Sequence, residues 1–201
     1  MINIKEYSPF FINRSFNLQK CKPIKKKIKK VKMYDYLFYE IFHKINNIDE
    51  LTNINRYNEI VEKTKLSELI NNIKIKKKEY ILNNLMYEPT ISLTTLDAII
   101  KCYDNNVIYV NNNVYFKMCY NQNKPLIVIN NEYKFIDITE FTHYYEITNL
   151  EKPLNSVSYY KLPELIEISM KLNLPYDKIK KVDLYNSIYN YLVKLNIFKI
   201  D

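Results

Sequence analysis

The side chains in this sequence whose type and clustering could do chemistry are lysines, and the chemistry would be phosphate binding. One group lies in residues 158–195, with a tyrosine that could stack or contact a sugar: Lys161, Lys171, Tyr176, Lys178, Lys180 and Lys181. A second group belongs to a run of eight lysines without an acid in residues 20–32, and includes Lys25, Lys26, Lys27, Lys29 and Lys30. Because lysine binds phosphate as a point charge, both groups predict salt-sensitive affinity that depends little on base sequence.

The composition limits what this positive charge means. The chain of 201 residues carries a formal net charge of +8, and it has no Gly and no Trp. The abundant residues, Lys, Asn, Ile and Tyr, are those of AT-rich codons, so codon usage explains part of the lysine content. Basicity therefore argues for an acidic partner only where it is clustered. Without Gly, Asn is expected at backbone positions that need a positive φ.

Catalytic and metal-binding patterns are missing from the sequence. Cys21, Cys102 and Cys119 form neither a CxxC nor a CxxH spacing, so no disulfide framework or zinc site is indicated. His43 has no acidic or cysteine partner at a useful spacing, and His143 stands among aromatic residues, where a histidine is more often packed than catalytic. A chain without Gly cannot form a Gly-rich phosphate loop. We expect a protein that is not an enzyme and uses no cofactor.

Neither a membrane span nor a signal peptide is indicated. No apolar run approaches the roughly 18–20 residues of a transmembrane helix. The first residues lack the charged-then-apolar order of a signal peptide. We expect an intracellular protein without membrane insertion.

Composition and periodicity divide the chain into four regions. Residues 1–32 are predicted to be a flexible basic segment, 33–88 a helical region, 89–150 a small α+β module and 151–201 a helical hairpin. The basic segment could be a phosphate-binding arm, a nuclear-localisation-like patch or a solvated linker in a lysine-rich chain. The fold class is expected to be α+β.

Apolar spacing predicts the helices of the second region. A stripe at i, i+3, i+4, i+7, i+8 and i+11 predicts the first one: Tyr34, Leu37, Phe38, Ile41, Phe42 and Ile45. Asp49 or Thr52 could cap a second helix, and residues 73–86 could form a third.

The α+β module should begin with a helix and continue with two antiparallel hairpins. Ser92 or Thr94 could cap the helix, which would end at residues 104–106. The hairpins are predicted from apolar runs around Asn turns: residues 107–110 with 114–119, and residues 126–129 with 133–136.

The last region reads as two short amphipathic helices joined by a lysine-bearing loop. Pro163 suits the first turn of a helix, while Asn173 and Pro175 end that helix. The two apolar faces are Leu165, Ile168 and Leu172, then Leu184, Ile188, Tyr191, Leu192 and Leu195.

This segment resembles the SAP motif, a helix, extended loop and helix of DNA-binding proteins. The resemblance rests on Leu162, Leu165, Leu172, Asn173, Leu174, Pro175, Lys181, Leu184 and Ile188. Asn173 and Lys178 stand where the family has loop glycines, and Ser187 stands where a basic residue is frequent. The loop is also one residue longer. The resemblance implies that the lysines of this segment lie against a DNA backbone.

Residues 91–195 also resemble a group of uncharacterised proteins of nucleocytoplasmic large DNA viruses. The residues that carry this resemblance are Lys152, Pro153, Leu154, Ser158, Tyr160, Lys161, Leu162, Glu164, Leu165, Glu167, Ile168, Lys171, Leu172, Asn173, Lys181, Leu184, Tyr185 and Ile188. It implies a viral source, with the protein in the virion or viral factory of the host cytoplasm or nucleus.

Two functions remain as expectations. The first is a viral accessory protein that binds double-stranded DNA through backbone phosphates. The second is a structural or scaffolding protein of the virion or viral factory, which uses the C-terminal hairpin to contact other proteins, such as viral structural proteins. Apart from both functions, the hairpin could be a two-helix cap that buries its leucines on the α+β module. Four acids reduce the local positive charge and work against the first: Glu164, Glu167, Asp177 and Asp183. The sequence leaves the oligomeric state open.

Overall fold

The computed structural model describes residues 35–48 and 56–195. The predicted basic segment, with Lys25, Lys26, Lys27, Lys29 and Lys30, lies outside the described residues, as do Tyr34 and the possible caps Asp49 and Thr52. The helices are α1 Tyr36–Asn46, α2 Arg56–Asn72, α3 Lys78–Tyr87, α4 Leu93–Cys102, α5 Leu162–Lys171 and α6 Lys181–Lys194. The strands are β1 Asn106–Asn111, β2 Val114–Cys119, β3 Leu126–Asn130 and β4 Tyr145–Ile147. The predicted α+β class is confirmed.

Helix α1 forms where the apolar stripe predicts it. Asp35 is the N-cap, and its carboxylate accepts a hydrogen bond from the Phe38 N–H at 3.2 Å. At the other end Asn47 takes a left-handed conformation with a φ of 51° and donates its N–H to the His43 carbonyl. Leu37, Phe38 and Ile41 of the predicted stripe are buried.

The third helix begins later than predicted. Residues 73–77 form a turn between α2 and α3, and Lys77 has a φ of 53°, which is incompatible with a continuous helix. Lys74 and Lys76 are exposed in this turn. Lys74 and Lys76 are therefore part of a solvated connection between α2 and α3.

The sheet has the order β3-β1-β2-β4. The hairpin of β1 and β2 is antiparallel as predicted, with Asn112 at a φ of 51° in its turn. The second predicted hairpin is reduced to one antiparallel bridge between Ile129 and Phe135. Tyr133 has a φ of 63°, which interrupts the extended backbone where the second strand was expected to begin. Strand β3 instead runs parallel to β1, and β4 parallel to β2.

Three clusters of buried apolar residues lie in the one compact unit that contains the described residues: a larger core, a smaller core, and a cluster of Ile108, Val110 and Val128 on β1 and β3. The larger packs α1, α2, α3 and α4 with the sheet through residues such as Phe38, Leu66, Leu85, Ile99 and Ile129. The smaller packs the C-terminal helices against the other part of the sheet through Val114, Ile147, Leu154, Leu165, Leu172, Leu184, Ile188 and Leu192. The sheet therefore positions the predicted binding module.

Candidate nucleic-acid interface

Helix α5 begins with a local arrangement that the sequence provides. Pro163 lies in the first turn, where its missing N–H leaves no hydrogen bond unmade. The Glu164 carboxylate accepts a hydrogen bond from the Lys161 N–H at 2.6 Å. Because a lysine ammonium can only donate, the capping of this helix comes from Glu164. The Lys161 side chain is thereby left for other contacts.

The loop between the two helices contains two left-handed residues. Asn173 has a φ of 55° and Lys178 a φ of 57°. These are the two positions where glycine would stand in the motif that the sequence resembles. Asn173 and Leu174 donate their N–H groups to the carbonyls of Met170 and Ser169, which closes the end of α5.

The apolar faces of the two helices are occupied within the protein. Leu165, Leu172, Leu184, Ile188 and Leu192 are buried in the smaller core, on the side of β2 and β4. The hairpin therefore caps the sheet. This packing also fixes which sides of α5 and α6 face solvent.

The tyrosine contacts show how the two helices are oriented. The ring of Tyr160, next to the N-cap of α5, lies 6.4 Å from the ring of Tyr185, about one turn into α6. The N-terminal ends of both helices therefore lie on the same side of the hairpin, and the loop must run back along α5. Lys161, Lys180 and Lys181 belong to this side. Lys171 ends the ten-residue helix α5, about 15 Å along its axis from Lys161.

The predicted lysines differ in solvent exposure and in whether they form an ion pair. Lys161, Lys178 and Lys180 are exposed and Lys181 is half-buried, and among the described residues none of the four forms an ion pair. Lys171 is bound by the Glu167 carboxylate at 3.0 Å. The four free ammonium groups are the part of the predicted site that is open to an anion.

Tyr176 and the acids complete the predicted site. Tyr176 is half-buried and packs against the smaller core, so only part of its ring can meet a ligand. Glu164 is engaged as the cap of α5, and Asp183 lies in the first turn of α6. Asp177 is exposed beside Lys178. The site is therefore positive but not strongly so.

A row of tyrosines beside the lysines was missed by the sequence analysis. The ring of Tyr159 lies 5.1 Å from that of Tyr160, and the ring of Tyr185 lies 6.3 Å from that of Tyr189 with 18° between their planes. The Tyr185 hydroxyl donates to the Asn155 carbonyl at 2.7 Å, and the Asn155 N–H donates to the Tyr160 hydroxyl. Burial, and then the neighbouring Tyr160, raise the pKa of Tyr185. The i, i+4 spacing of the two tyrosines in α6 was the available signal.

A buried ionic cluster was also missed, and its role is structural. The Lys63 ammonium lies 3.2 Å from the Asp35 carboxylate and 2.8 Å from that of Glu59. Asp35 also accepts the Ile91 N–H at 2.7 Å. This cluster joins α1, α2 and the start of α4. No local pattern could reveal it, because Asp35 and Lys63 are 28 positions apart.

A carboxyl with an altered pKa lies on α4, away from the C-terminal hairpin. Asp97 accepts a hydrogen bond from the Tyr120 hydroxyl at 2.6 Å. Burial raises the pKa of Asp97, while the Tyr120 hydrogen bond and Lys101 act in the opposite direction. The hydrogen-bond partner of this carboxyl is therefore a phenol.

Neither a metal site nor a membrane span is found in the part of the chain that the structure describes. Across residues 35–48 and 56–195 no group of three or more His, Cys, Asp or Glu residues could hold a metal ion. No helix within those ranges is long and apolar enough to cross a membrane.

Comparison of the chain with protein-family models, with curated proteins and with solved structures finds no match.

Proposed function

We propose that this chain is a non-enzymatic accessory protein of a large DNA virus, which binds duplex DNA through backbone phosphates with little sequence specificity. The observation that carries the proposal is the group of unpaired lysines on the hairpin. Lys178 and Lys180 are exposed in the loop, and Lys161 is exposed on the side where both helices begin. Ammonium groups in this arrangement can follow the closely spaced phosphates of a duplex.

The backbone of the loop also supports the proposal. Asn173 and Lys178 keep the left-handed conformation that glycine would give, so the chain retains a bent loop without any glycine. Lys180, the N-cap of α6, makes no side-chain cap hydrogen bond, so its side chain does not compete with an anion for the first N–H groups of the helix. The proposed place of action is the viral factory or virion, in the host cytoplasm or nucleus.

Charge reversal in the loop tests this function. We expect a Lys178→Glu, Lys180→Glu variant to bind a labelled duplex about tenfold more weakly or worse at low salt, because hydrogen bonds to charged groups contribute roughly 1.5–3 kcal/mol each. The matched control is Lys74→Glu, Lys76→Glu, which makes the same charge change at exposed residues of another turn. Fluorescence anisotropy measures both. Equal affinities for the loop variant and the control would exclude this loop as the binding surface.

A second function, scaffolding through protein contacts, is favoured by a different observation. Leu162, Met170 and Val182 are 41%, 50% and 55% exposed, although the helices that carry them bury their other apolar faces. Leu162 and Met170 are two positions of an i, i+4, i+8 series on α5, with Ile166 between them. A stoichiometric protein partner that co-purifies from nuclease-treated particles, and is lost when Leu162 and Met170 become Ser, would favour this function.

A further inference from the structure

The tyrosine row, Tyr159, Tyr160, Tyr185 and Tyr189, is a feature that duplex binding through phosphates does not use. Its inner members are held in place, since the hydroxyls of Tyr160 and Tyr185 both bond to the backbone of Asn155. Its outer members have no such bond among the described residues, and Tyr159 is 69% exposed. The row therefore has a fixed centre and aromatic ends that solvent can reach.

Aromatic rings that are held in place and open to solvent are suited to stacking on a planar ligand. Tyr185 and Tyr189 are four positions apart on α6, and their rings are nearly parallel. The rings of Tyr159 and Tyr160 lie at 80° to each other, so they are not stacked, and most of Tyr159 is open to solvent. Stacking on tyrosine is sequence-tolerant, because every nucleobase has an aromatic face.

Positively charged lysines next to the tyrosine row indicate which class of ligand it would bind. Lys161 follows Tyr160 by one residue, and Lys181 lies one turn before Tyr185 on α6. On a helix, the exposed positions three or four residues from Tyr185 and Tyr189 are Val182 and Asn186, and neither is acidic. Aromatic rings beside ammonium groups complement a ligand that has planar rings and regularly spaced negative charges.

We propose that the tyrosine row stacks unpaired bases of a single-stranded segment, whose phosphates contact Lys161 and Lys181. This inference rests on the proposed function, because it adds a single-stranded contact to the same hairpin that binds the duplex. Bases inside a duplex are stacked on each other and cannot reach the rings. The row would therefore act where a duplex ends, frays or is opened.

Binding of the full-length chain to two oligomers of equal charge tests the inference. One is a labelled oligothymidylate of about 16 nucleotides, and the other is an abasic oligomer with the same number of phosphates. We expect the wild type to bind the oligothymidylate about tenfold more tightly than the abasic oligomer. Equal affinity for the two oligomers would overturn the inference.

Substitution of the outer tyrosines locates the surface. We expect a Tyr159→Leu, Tyr189→Leu variant to lose the preference for bases while its affinity for the abasic oligomer stays unchanged. Tyr87→Leu is the matched control, because Tyr87 is 83% exposed on α3. Tyr159→Ala alone changes a residue with little packing and guards against loss of folding. A full base preference in both the double variant and Tyr159→Ala would overturn the inference.

Binding to a DNA duplex whose end is closed by a loop distinguishes this inference from the proposed function. In one outcome, the Lys178→Glu, Lys180→Glu variant binds the duplex more weakly than wild type, but wild type binds the oligothymidylate and the abasic oligomer equally. That outcome overturns the stacking surface and leaves the duplex function standing. A base preference that depends on Tyr159 and Tyr189, without measurable duplex binding, supports the stacking surface and overturns the duplex function.

Discussion

At the scale of single residues, the same side chain has different roles depending on its neighbours. Lys171 is bound by Glu167, Lys63 is buried between two carboxylates, and Lys178 and Lys180 are exposed without an ion pair among the described residues. Lysine abundance from codon usage therefore does not decide which lysines are available. Only the unpaired ones can exchange their counterions for phosphates.

Asp97 gives a pH-dependent prediction at this scale. Burial raises the pKa of Asp97, so the folded protein holds a proton that the unfolded chain has already lost at mildly acidic pH. The stability associated with this group is complete below its ordinary pKa and is lost as pH rises through the raised value. Asp97→Asn removes this loss. We expect the stability advantage of the variant over wild type to increase as pH rises above about 4, the ordinary pKa of an Asp, as measured by urea unfolding at several pH values; a difference that does not change with pH would contradict the assignment.

The sequence could predict which residues are candidates for binding, but not their contacts. Lys178 and Lys180 were found from clustering alone. The pairing of Lys171 with Glu167 follows from i, i+4 spacing, yet the partial burial of Tyr176 depends on the packing of the whole hairpin on the sheet. Tyr185 joins the adjacent Tyr159 and Tyr160 only in the fold, where its hydroxyl bonds to the Asn155 carbonyl 30 positions away.

At the scale of elements, the loop between α5 and α6 is defined by its left-handed residues. Asn tolerates this conformation through its short polar side chain, whereas Lys178 bears the steric cost of its Cβ. Lys178 therefore combines a strained backbone with a charged side chain at one position of the loop.

Glycine and alanine at Lys178 test this view of the loop. Both substitutions remove the charge, so their difference reports only the backbone. We expect Lys178→Gly to be more stable than Lys178→Ala by about 1 kcal/mol, because glycine has no Cβ to clash at positive φ. At Lys65, an exposed residue inside α2, the order should be reversed, because glycine is about 1 kcal/mol less favourable than alanine in a helix interior. Chemical unfolding measures all four variants, and the same order at both positions would contradict the assigned conformations.

Element prediction succeeded where the local signal was complete. The Ser92 cap and the hairpin of β1 and β2 formed as predicted, because Ser92 accepts the Thr95 N–H and Asn112 takes the positive φ of the turn. The prediction of a second hairpin was wrong, because residues 133–136 do not form a strand and contribute one bridge, between Ile129 and Phe135. Strand β3 pairs along its length with β1 instead. Parallel pairing joins residues distant in sequence, so a local pattern cannot predict it.

At the scale of the whole molecule, the sheet connects two groups of helices and leaves one side of each to solvent. The buried cluster of Asp35, Glu59 and Lys63 holds the first group together, and the leucines of α5 and α6 attach the second group to β2 and β4. The chain has a formal net charge of +8, so nonspecific attraction to DNA would accompany any specific surface. The central question is whether binding occurs at the loop or through net charge.

The salt dependence of duplex binding answers this question most directly. Each phosphate neutralised by a lysine adds about 0.9 to the magnitude of the slope of log affinity against log salt. We predict that Lys178→Glu, Lys180→Glu lowers the magnitude of the wild-type slope by about 2, while Lys74→Glu, Lys76→Glu leaves it close to the wild-type value. A wild-type slope in the loop variant, or equal decreases in both variants, would contradict binding of DNA by this loop.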